Sequence, residues 1–424
     1  MEVGRFIMIL EFSCKNFKSI KNEVNFSMLA SSDKSLQYNI KEWNKYRVLN
    51  AAAIYGANGS GKSSFIYALN FFRALIVNSV NHQPGDKIID WSHKSALNEP
   101  NEYKIQFVTR NNNRYAYGFT LLKNCFINEY LYCFPNGTQK KIFERNNQII
   151  EMGSGYNKNM DASKSTLKEN RLFLSCAANF SDLPEINEVF MYFKECLVIY
   201  LGRANDWLNY SISTLQNNKL YKKIFLNFMS AIGSNIKDIE AKKDRKVLSK
   251  IEPAVIMPEE LKSILQNKEV DIIDVKIDHD DFVLKLEEES IGTQKLFAIM
   301  CPIIDIILTG KIFICDEIET SLHPNIVTEI IKMFLNQSGT YFSQIIFTTH
   351  DENLLDLDLL RRDQIWFTEM DEQKSTNLYS LSELKNVRKD ENVAKGYLLG
   401  KYGAIPLKNN EKIKALFKGV NVNE

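Results

Sequence analysis

The chain has 424 residues, 45% hydrophobic and 25% charged, with a formal net charge of +1. That size and balance suit a globular protein of two or three subdomains and exclude a disordered or fibrous chain, while near-zero charge supplies no global basic field for nucleic acid. Seven scattered cysteines (Cys14, Cys125, Cys133, Cys176, Cys196, Cys301, Cys315) form no C-x-x-C pair, so neither a zinc nor a redox motif is indicated and a reducing cytosol is expected.

Near the N-terminus the one continuous apolar run is Phe6–Leu10, too short for a signal-peptide core, which points to a cytoplasmic protein. Ile9–Cys14 and Val24–Met28, on either side of a turn at Lys15 and Asn16, read as a β-meander. Ala51–Tyr55 is an apolar strand, and Phe65, Ile66, Leu69, Phe72 and Ile76 mark one face of a helix. Between them, Gly56-Ala57-Asn58-Gly59-Ser60-Gly61-Lys62-Ser63, followed by Ser64, reads G-x-x-x-x-G-K-S. Strand, glycine-rich loop and helix in that order make a P-loop: the curled backbone points N–H groups at phosphate oxygens, and the helix N-terminus adds positive partial charge. Lys62 can then reach the β- and γ-phosphates and Ser63 can ligate Mg²⁺. ATP and Mg²⁺ are the expected cofactors.

Residues 103–134 alternate, with Tyr103, Ile105, Phe107, Tyr115, Tyr117 and Phe119 broken by Asn111-Asn112-Asn113, and read as antiparallel hairpins. Residues 160–265 are mostly helical in pattern, with polar breaks at Asn217-Asn218 and Lys242–Lys246 and no sustained heptads. Strand character returns at Asp271–Leu286, a helix is expected over Gly292–Leu308, and short strands follow at Ile312–Cys315, Ile345–Thr348 and Gln364–Thr368. The apolar stretch Phe297–Cys315 contains Pro302, Asp305, Gly310 and Lys311 and reads as a buried helix plus a buried strand rather than a membrane span.

Ile312–Cys315 ends in Asp316 and Glu317, the Walker B pattern. Asp316 at the strand's end can hold Mg²⁺, and Glu317 is placed to orient or deprotonate the attacking water. The long separation of Lys62 from Asp316 is unlike compact AAA+ motors and resembles ABC-type ATPases, the SMC/RecF branch above all. Ser290-Ile291-Gly292-Thr293-Gln294-Lys295 resembles a variant ABC signature, with Ser290 capping the helix that follows and leaving N–H donors for a γ-phosphate. Ile291 stands where a Gly or Ser is usual in transporters. Ile345–Thr349 runs into His350, which resembles the switch histidine, and Glu319–Pro324 resembles a D-loop in which His323 is read as structural. A Q-loop glutamine has no clear place; Gln106 reads as a strand residue.

These segments together identify a wider resemblance. Phe12-Ser13-Cys14-Lys15-Asn16-Phe17-Lys18-Ser19-Ile20 resembles the start of RecF- and OLD-like ATPases, whose N-terminal strands pack over adenine; that implies nucleotide contacts for Asn16 and Lys18. The tail, Leu359–Phe367 and Gly396–Pro406, is similar to RloA-like stand-alone ATPases of phage-defence and abortive-infection systems. The resemblance implies an α/β ABC-type ATPase head, with a mixed sheet around the P-loop core, an antiparallel β subdomain and a mainly helical insertion. The segments would be 1–135, 136–268 and 269–424. It also implies a homodimer or higher homo-oligomer with composite ATP sites, and a separate effector such as a TOPRIM or RloB-like nuclease. Glu317, His350 and Lys62 would be catalytic, Ser63 and Asp316 would hold the metal, and Gly56–Ser64, Ser290 and Gly292 would bind nucleotide. Two alternatives stay open. Asp356-Leu357-Asp358 could mark an OLD-like nuclease, although a polar helix face explains it, and Lys242–Lys246 could contact DNA, although a solvated helix end explains it equally.

Overall fold

Strand β1 (Met8–Lys15) opens an antiparallel sheet with β2 (Val24–Ser27). A small hairpin of β3 (Ile40–Trp43) and β4 (Tyr46–Leu49) leads to β5 (Ala51–Gly56) and helix α1 (Lys62–Asn78). The computed structural model describes residues 6–157, 159–202, 205–247, 269–337, 341–385, 387–388 and 391–406. The chain divides into two compact units, one of residues 1–199, 310–318 and 334–424, the other of residues 200–309 and 319–333.

The first unit continues through β6 (Asn101–Val108), β7 (Arg114–Leu122), β8 (Cys125–Cys133), β9 (Lys140–Asn146), β10 (Ile149–Met152), α2 (Asp161–Ser165), α3 (Phe173–Phe180), α4 (Pro184–Met191) and β11 (Leu197–Tyr200). Seven strands form one sheet in the order β10-β9-β8-β7-β6-β1-β2. Its alternating pattern gives one buried face, on which α1 packs: Phe72 lies 5.7 Å from Phe12, 5.3 Å from Phe119 and 6.0 Å from Tyr103, ring centroid to centroid. Aromatic side chains at every second strand position make this interface, as the period of two requires. At its far end the buried Glu129 carboxylate accepts from the N–H groups of Phe173 and Leu174 and pairs with Arg145, so it closes the N-terminus of α3.

The second unit holds α5 (Asn205–Asn217), α6 (Lys219–Ala231), β12 (Asp238–Val247), β13 (Glu269–Asp278), β14 (Val283–Lys285) and α7 (Ile291–Thr309). Ser211 Oγ donates to the Ala298 carbonyl at 2.7 Å, Tyr221 donates to Asp305 at 3.0 Å, and Phe225 meets Phe297 at 5.8 Å, which binds the three helices together. The helical expectation for 160–265 needs correction at two places. Leu197–Tyr200 is a strand, and Lys242–Lys246 lies within β12, paired antiparallel with β13 from Asp238↔Asp278 to Val247↔Glu269. The rest of that stretch, 248–265, falls outside the described residues.

The chain then adds β15 (Ile312–Cys315), α8 (Pro324–Leu335), β16 (Gln344–Thr348), β17 (Ile365–Met370), β18 (Thr376–Ser380) and α9 (Val393–Leu398). The core sheet has the order β11-β15-β16-β5-β17-β18. Its pairs β15–β16, β16–β5 and β5–β17 are parallel, and β17–β18 is antiparallel. Every residue of β5, β15 and β16 is buried, which explains their unbroken apolar runs: strands buried on both faces cannot alternate. Residues 62–81 and 291–309 are long and apolar enough to cross a membrane, but their apolar side chains, from Phe65 to Ile76 and from Leu296 to Ile306, are spent on packing inside the fold.

Candidate functional site

Parallel pairing brings the C-terminal ends of β15, β16 and β5 side by side, where open α/β sheets present their ligand sites. Cys315 pairs with Phe347 and Thr348 with Ile54. Asp316, Glu317, Thr349, His350 and the P-loop therefore leave the sheet at one edge. The P-loop serine and the Walker acid meet there: Ser63 Oγ donates to Asp316 Oδ1 at 3.2 Å. Thr348 Oγ1 donates to the same carboxylate oxygen at 2.6 Å and accepts from the Glu317 N–H at 2.8 Å. Ser63 and Asp316 thus offer two oxygen donors from different elements, the hard ligand type that suits Mg²⁺. A divalent cation there would neutralise phosphate charge.

The loop itself is held from behind. Ser60 Oγ lies 2.6 Å from Thr368 Oγ1 on β17, and Thr376 Oγ1 on β18 donates to the Ser60 carbonyl at 2.9 Å. Gly61 has a φ of 110°, and a Cβ there would run into the Thr376 hydroxyl. Two separate constraints therefore demand glycine at this position. Lys62 Nζ folds back over the loop and donates to the carbonyls of Gly56 at 2.8 Å and Ala57 at 3.2 Å. Helix α1 begins with no side-chain cap and no acid in its first turn, so nothing of its own competes with an anion there. Asn58 and Gly59 are exposed at the loop's tip.

Around this cluster, Glu317 and His350 are exposed, and Thr349 N donates to the Ile54 carbonyl at 3.1 Å, tying the segment before His350 to β5. Ser64 accepts from Ser19 Oγ at 2.8 Å. The Lys18 ammonium lies over the Tyr67 and Trp91 rings. Burial pulls the Lys18 pKa below its usual value, and the nearby Asp316 charge pulls it back up. Asn16 is fully buried; its amide donates to the Ala96 and Glu99 carbonyls at 3.0 and 2.8 Å and its oxygen accepts from His93 N at 2.9 Å. This residue fixes the turn from within.

In the second unit Ser290 Oγ accepts from Thr293 N at 3.1 Å and caps α7. A Cβ on Gly292 would come within 3.0 Å of the Ser321 carbonyl, and Lys295 Nζ donates to the Thr320 carbonyl. The signature-like and D-loop-like segments are therefore neighbours. His323 is exposed, and its Nδ1 accepts from Asn325 N at 3.2 Å at the start of α8.

Gln106 is a strand residue, as its sequence context predicts, while the D-x-D departs from the helix face expected for it. Gln106 is on β6, bonded to Glu11 at 2.7 Å. Asp356 and Asp358 lie in a turn, not on a helix, and Asp356 Oδ1 accepts from Asp358 N at 2.9 Å. Sequence reasoning missed Thr348, Thr368 and Thr376. Each is an ordinary strand threonine until the order β15-β16-β5-β17-β18 sets it beside the loop.

A family model described as "AAA domain, putative AbiEii toxin, Type IV TA system" matches residues 51–178 and 197–356. A search of the curated proteins finds no match. Among solved structures the chain is similar to an SMC head bound to the C-winged helix domain of ScpA, at 15% identity over 88% of this chain and 97% of that one, TM-score 0.42. It is also similar to the SMC head domain of Thermotoga maritima, at 12% identity over 88% and 98%, TM-score 0.40. A third is an SMC head with an extended coiled coil bound to the C-terminal domain of ScpA from Pyrococcus furiosus, at 12% identity over 88% and 96%, TM-score 0.41.

Proposed function

We propose that this chain, which belongs to the AAA-domain family whose description names the AbiEii toxin and type IV toxin–antitoxin systems, is an ATP-driven switch that controls a separate effector in bacterial anti-phage defence. Membership of that family makes the chain a nucleotide-binding ATPase. The observation that supports the catalytic part is the meeting of Ser63 and Thr348 at the Asp316 carboxylate, with Thr348 also holding the Glu317 N–H; the defence role is suggested by the family description.

In this reading the P-loop N–H groups and Lys62 bind the phosphates, with Lys62 leaving its own loop carbonyls to do so. Ser63 and Asp316 hold Mg²⁺, which supplies charge neutralisation. Glu317 orients the water that attacks the γ-phosphate in line, and His350 completes its hydrogen bonding. Ser290 and Gly292 act on the nucleotide of a second copy, so the working form is a cytoplasmic homodimer or a higher assembly of dimers. The effector is a nuclease of TOPRIM or RloB-like type. The alternative, that the chain is itself a nuclease, has less support: Asp356 Oδ1 of its D-x-D already accepts from the Asp358 N–H in a local turn.

The test is co-purification with the protein encoded next door, with and without ATP, in wild type, Glu317→Gln and Lys62→Ala. Glu317→Gln should bind ATP, turn over at least about a hundredfold more slowly, and hold the partner in one state. Lys62→Ala should neither bind ATP nor respond to it. A Glu317→Gln variant that hydrolyses like wild type refutes the catalytic assignment, and a partner indifferent to ATP in all three refutes the switch.

A further inference from the structure

Lys18 occupies the turn after β1 in a left-handed conformation, φ 50°. That turn is pinned on every side. Phe17 N donates to the Ile20 carbonyl at 2.7 Å, Lys18 N to the Trp91 carbonyl at 2.6 Å, and Thr376 N to the Ser19 carbonyl at 2.8 Å. Ser19 Oγ reaches Ser64 in the first turn of α1. The backbone of Lys18 is therefore fixed relative to the P-loop from both sides. Its side chain is fixed as well: the ammonium stands 3.8 Å from the centroid of Tyr67, on α1, and 4.6 Å from that of Trp91. Both lie within cation–π range. A lysine is otherwise a mobile point charge on a four-carbon stem.

Trp91 is 41% exposed, yet its ring faces the Lys18 ammonium and its carbonyl accepts from the Lys18 N–H. We propose that Tyr67 and Trp91 are positioning residues, whose rings hold the Lys18 ammonium beside helix α1 so that it meets the triphosphate of ATP already oriented. The proposal rests on the ATP-binding reading above and adds to it a pair of residues that no motif in the sequence contains. Their effect on nucleotide affinity passes entirely through Lys18, because a cation held in place loses less freedom when the ligand arrives.

The experiment is calorimetric titration of ATP with Mg²⁺ into the full chain, in a Glu317→Gln background that keeps the nucleotide intact. Lys18→Met should weaken binding about tenfold, Trp91→Ala about threefold to tenfold, and Trp91→Phe less than twofold, since phenylalanine keeps a ring face. Trp91→Leu, which keeps bulk without a ring face, should be as weak as alanine. In the double variant, Trp91→Ala should add nothing to Lys18→Met. Equal affinities for Trp91→Leu and Trp91→Phe would reduce the role to packing and overturn the proposal. So would a Trp91→Ala loss that persists in full without Lys18, the result expected if the indole contacts the nucleotide directly. Thermal melting checks that each variant is folded; Tyr67→Leu against Tyr67→Phe gives the same contrast should Trp91→Ala fail to fold. A background protein that binds no ATP ends the ATP reading and this inference together. Binding that Lys62→Ala abolishes but that is flat across the Trp91 and Tyr67 variants ends this inference alone.

Discussion

Thr348 is the residue on which both Walker acids depend. It is fully buried, and its one hydroxyl donates to Asp316 Oδ1 and accepts from the Glu317 N–H. Glu317 needs that anchor because its φ of 49° is left-handed, a conformation that costs a non-glycine residue about 1–2 kcal/mol. Thr348→Val keeps the shape and removes the hydroxyl, which costs the Glu317 N–H its part-buried bond and the Asp316 carboxylate its donor, about 1–2 kcal/mol together. The melting temperature should fall by several degrees. ATP turnover should fall about tenfold or more, because the Asp316 carboxylate and Glu317, the acid proposed to orient water, both lose their register. Thr348→Ser should restore turnover to within about threefold, since the hydroxyl returns. Steady-state hydrolysis measured beside thermal melting decides it, and wild-type turnover in Thr348→Val would remove this residue from the site. Nothing in the sequence marks Thr348, because its partners lie more than thirty residues upstream and the register Cys315↔Phe347 alone brings them to it.

At the level of elements, the sequence carries most of the core sheet. Ile312–Cys315, Ile345–Thr348 and Gln364–Thr368 are legible as strands because they are buried on both faces, and the helix over Gly292–Leu308 is legible from its length and apolarity. Lys242–Lys246 was not legible as strand: five consecutive charged residues show no alternation for a period of two to reveal. The tail shows a different limit. Its motif is visible, but its attachment is not. Tyr397 and Tyr402 stack on Phe367 at 5.6 and 5.9 Å, Tyr397 meets Tyr55 at 5.9 Å, and Tyr379 donates to the Tyr402 carbonyl at 2.7 Å. The tail therefore rests on the strands that flank the P-loop. Glu391 fastens it, paired with Lys401 and accepting from the Tyr402 hydroxyl at 2.6 Å. Those two partners hold its carboxyl down from 4.5 to about 2. A depressed acid stabilises the folded tail fully above its unfolded pKa and loses that contribution as pH falls through the folded one. The difference in near-ultraviolet tyrosine dichroism between wild type and Glu391→Gln should be constant above pH 4.5 and shrink toward pH 2. A difference that persists unchanged through that window would show that the carboxylate is not what holds the tail.

On the scale of the whole molecule, the residues that the proposed mechanism assigns to nucleotide fall in two separate units. The P-loop, Asp316, Glu317 and His350 belong to one; Ser290 and Gly292, the latter close against the Ser321 carbonyl, belong to the other. The proposed dimer makes each unit serve a different copy's ATP, and that has an arithmetic consequence. Lys62→Ala cannot hold ATP but keeps its signature segment. Ser290→Arg keeps its P-loop but cannot complete its partner's site, and position 290 is exposed, so the substitution leaves the core untouched and removes only the cap of α7. Each variant alone should be inactive. Mixed in equal amounts and allowed to exchange, half of the dimers are heterodimers, and each of these has one complete site, the Ser290→Arg P-loop facing the Lys62→Ala signature. Turnover per chain should recover to roughly a quarter of wild type. If Ser290 instead served its own chain's ATP, no pairing could assemble a working site, and the mixture would stay as dead as its parts. Recovery should also fall as the mixture is diluted below the dimer's dissociation constant, which distinguishes a shared site from two independent residual activities.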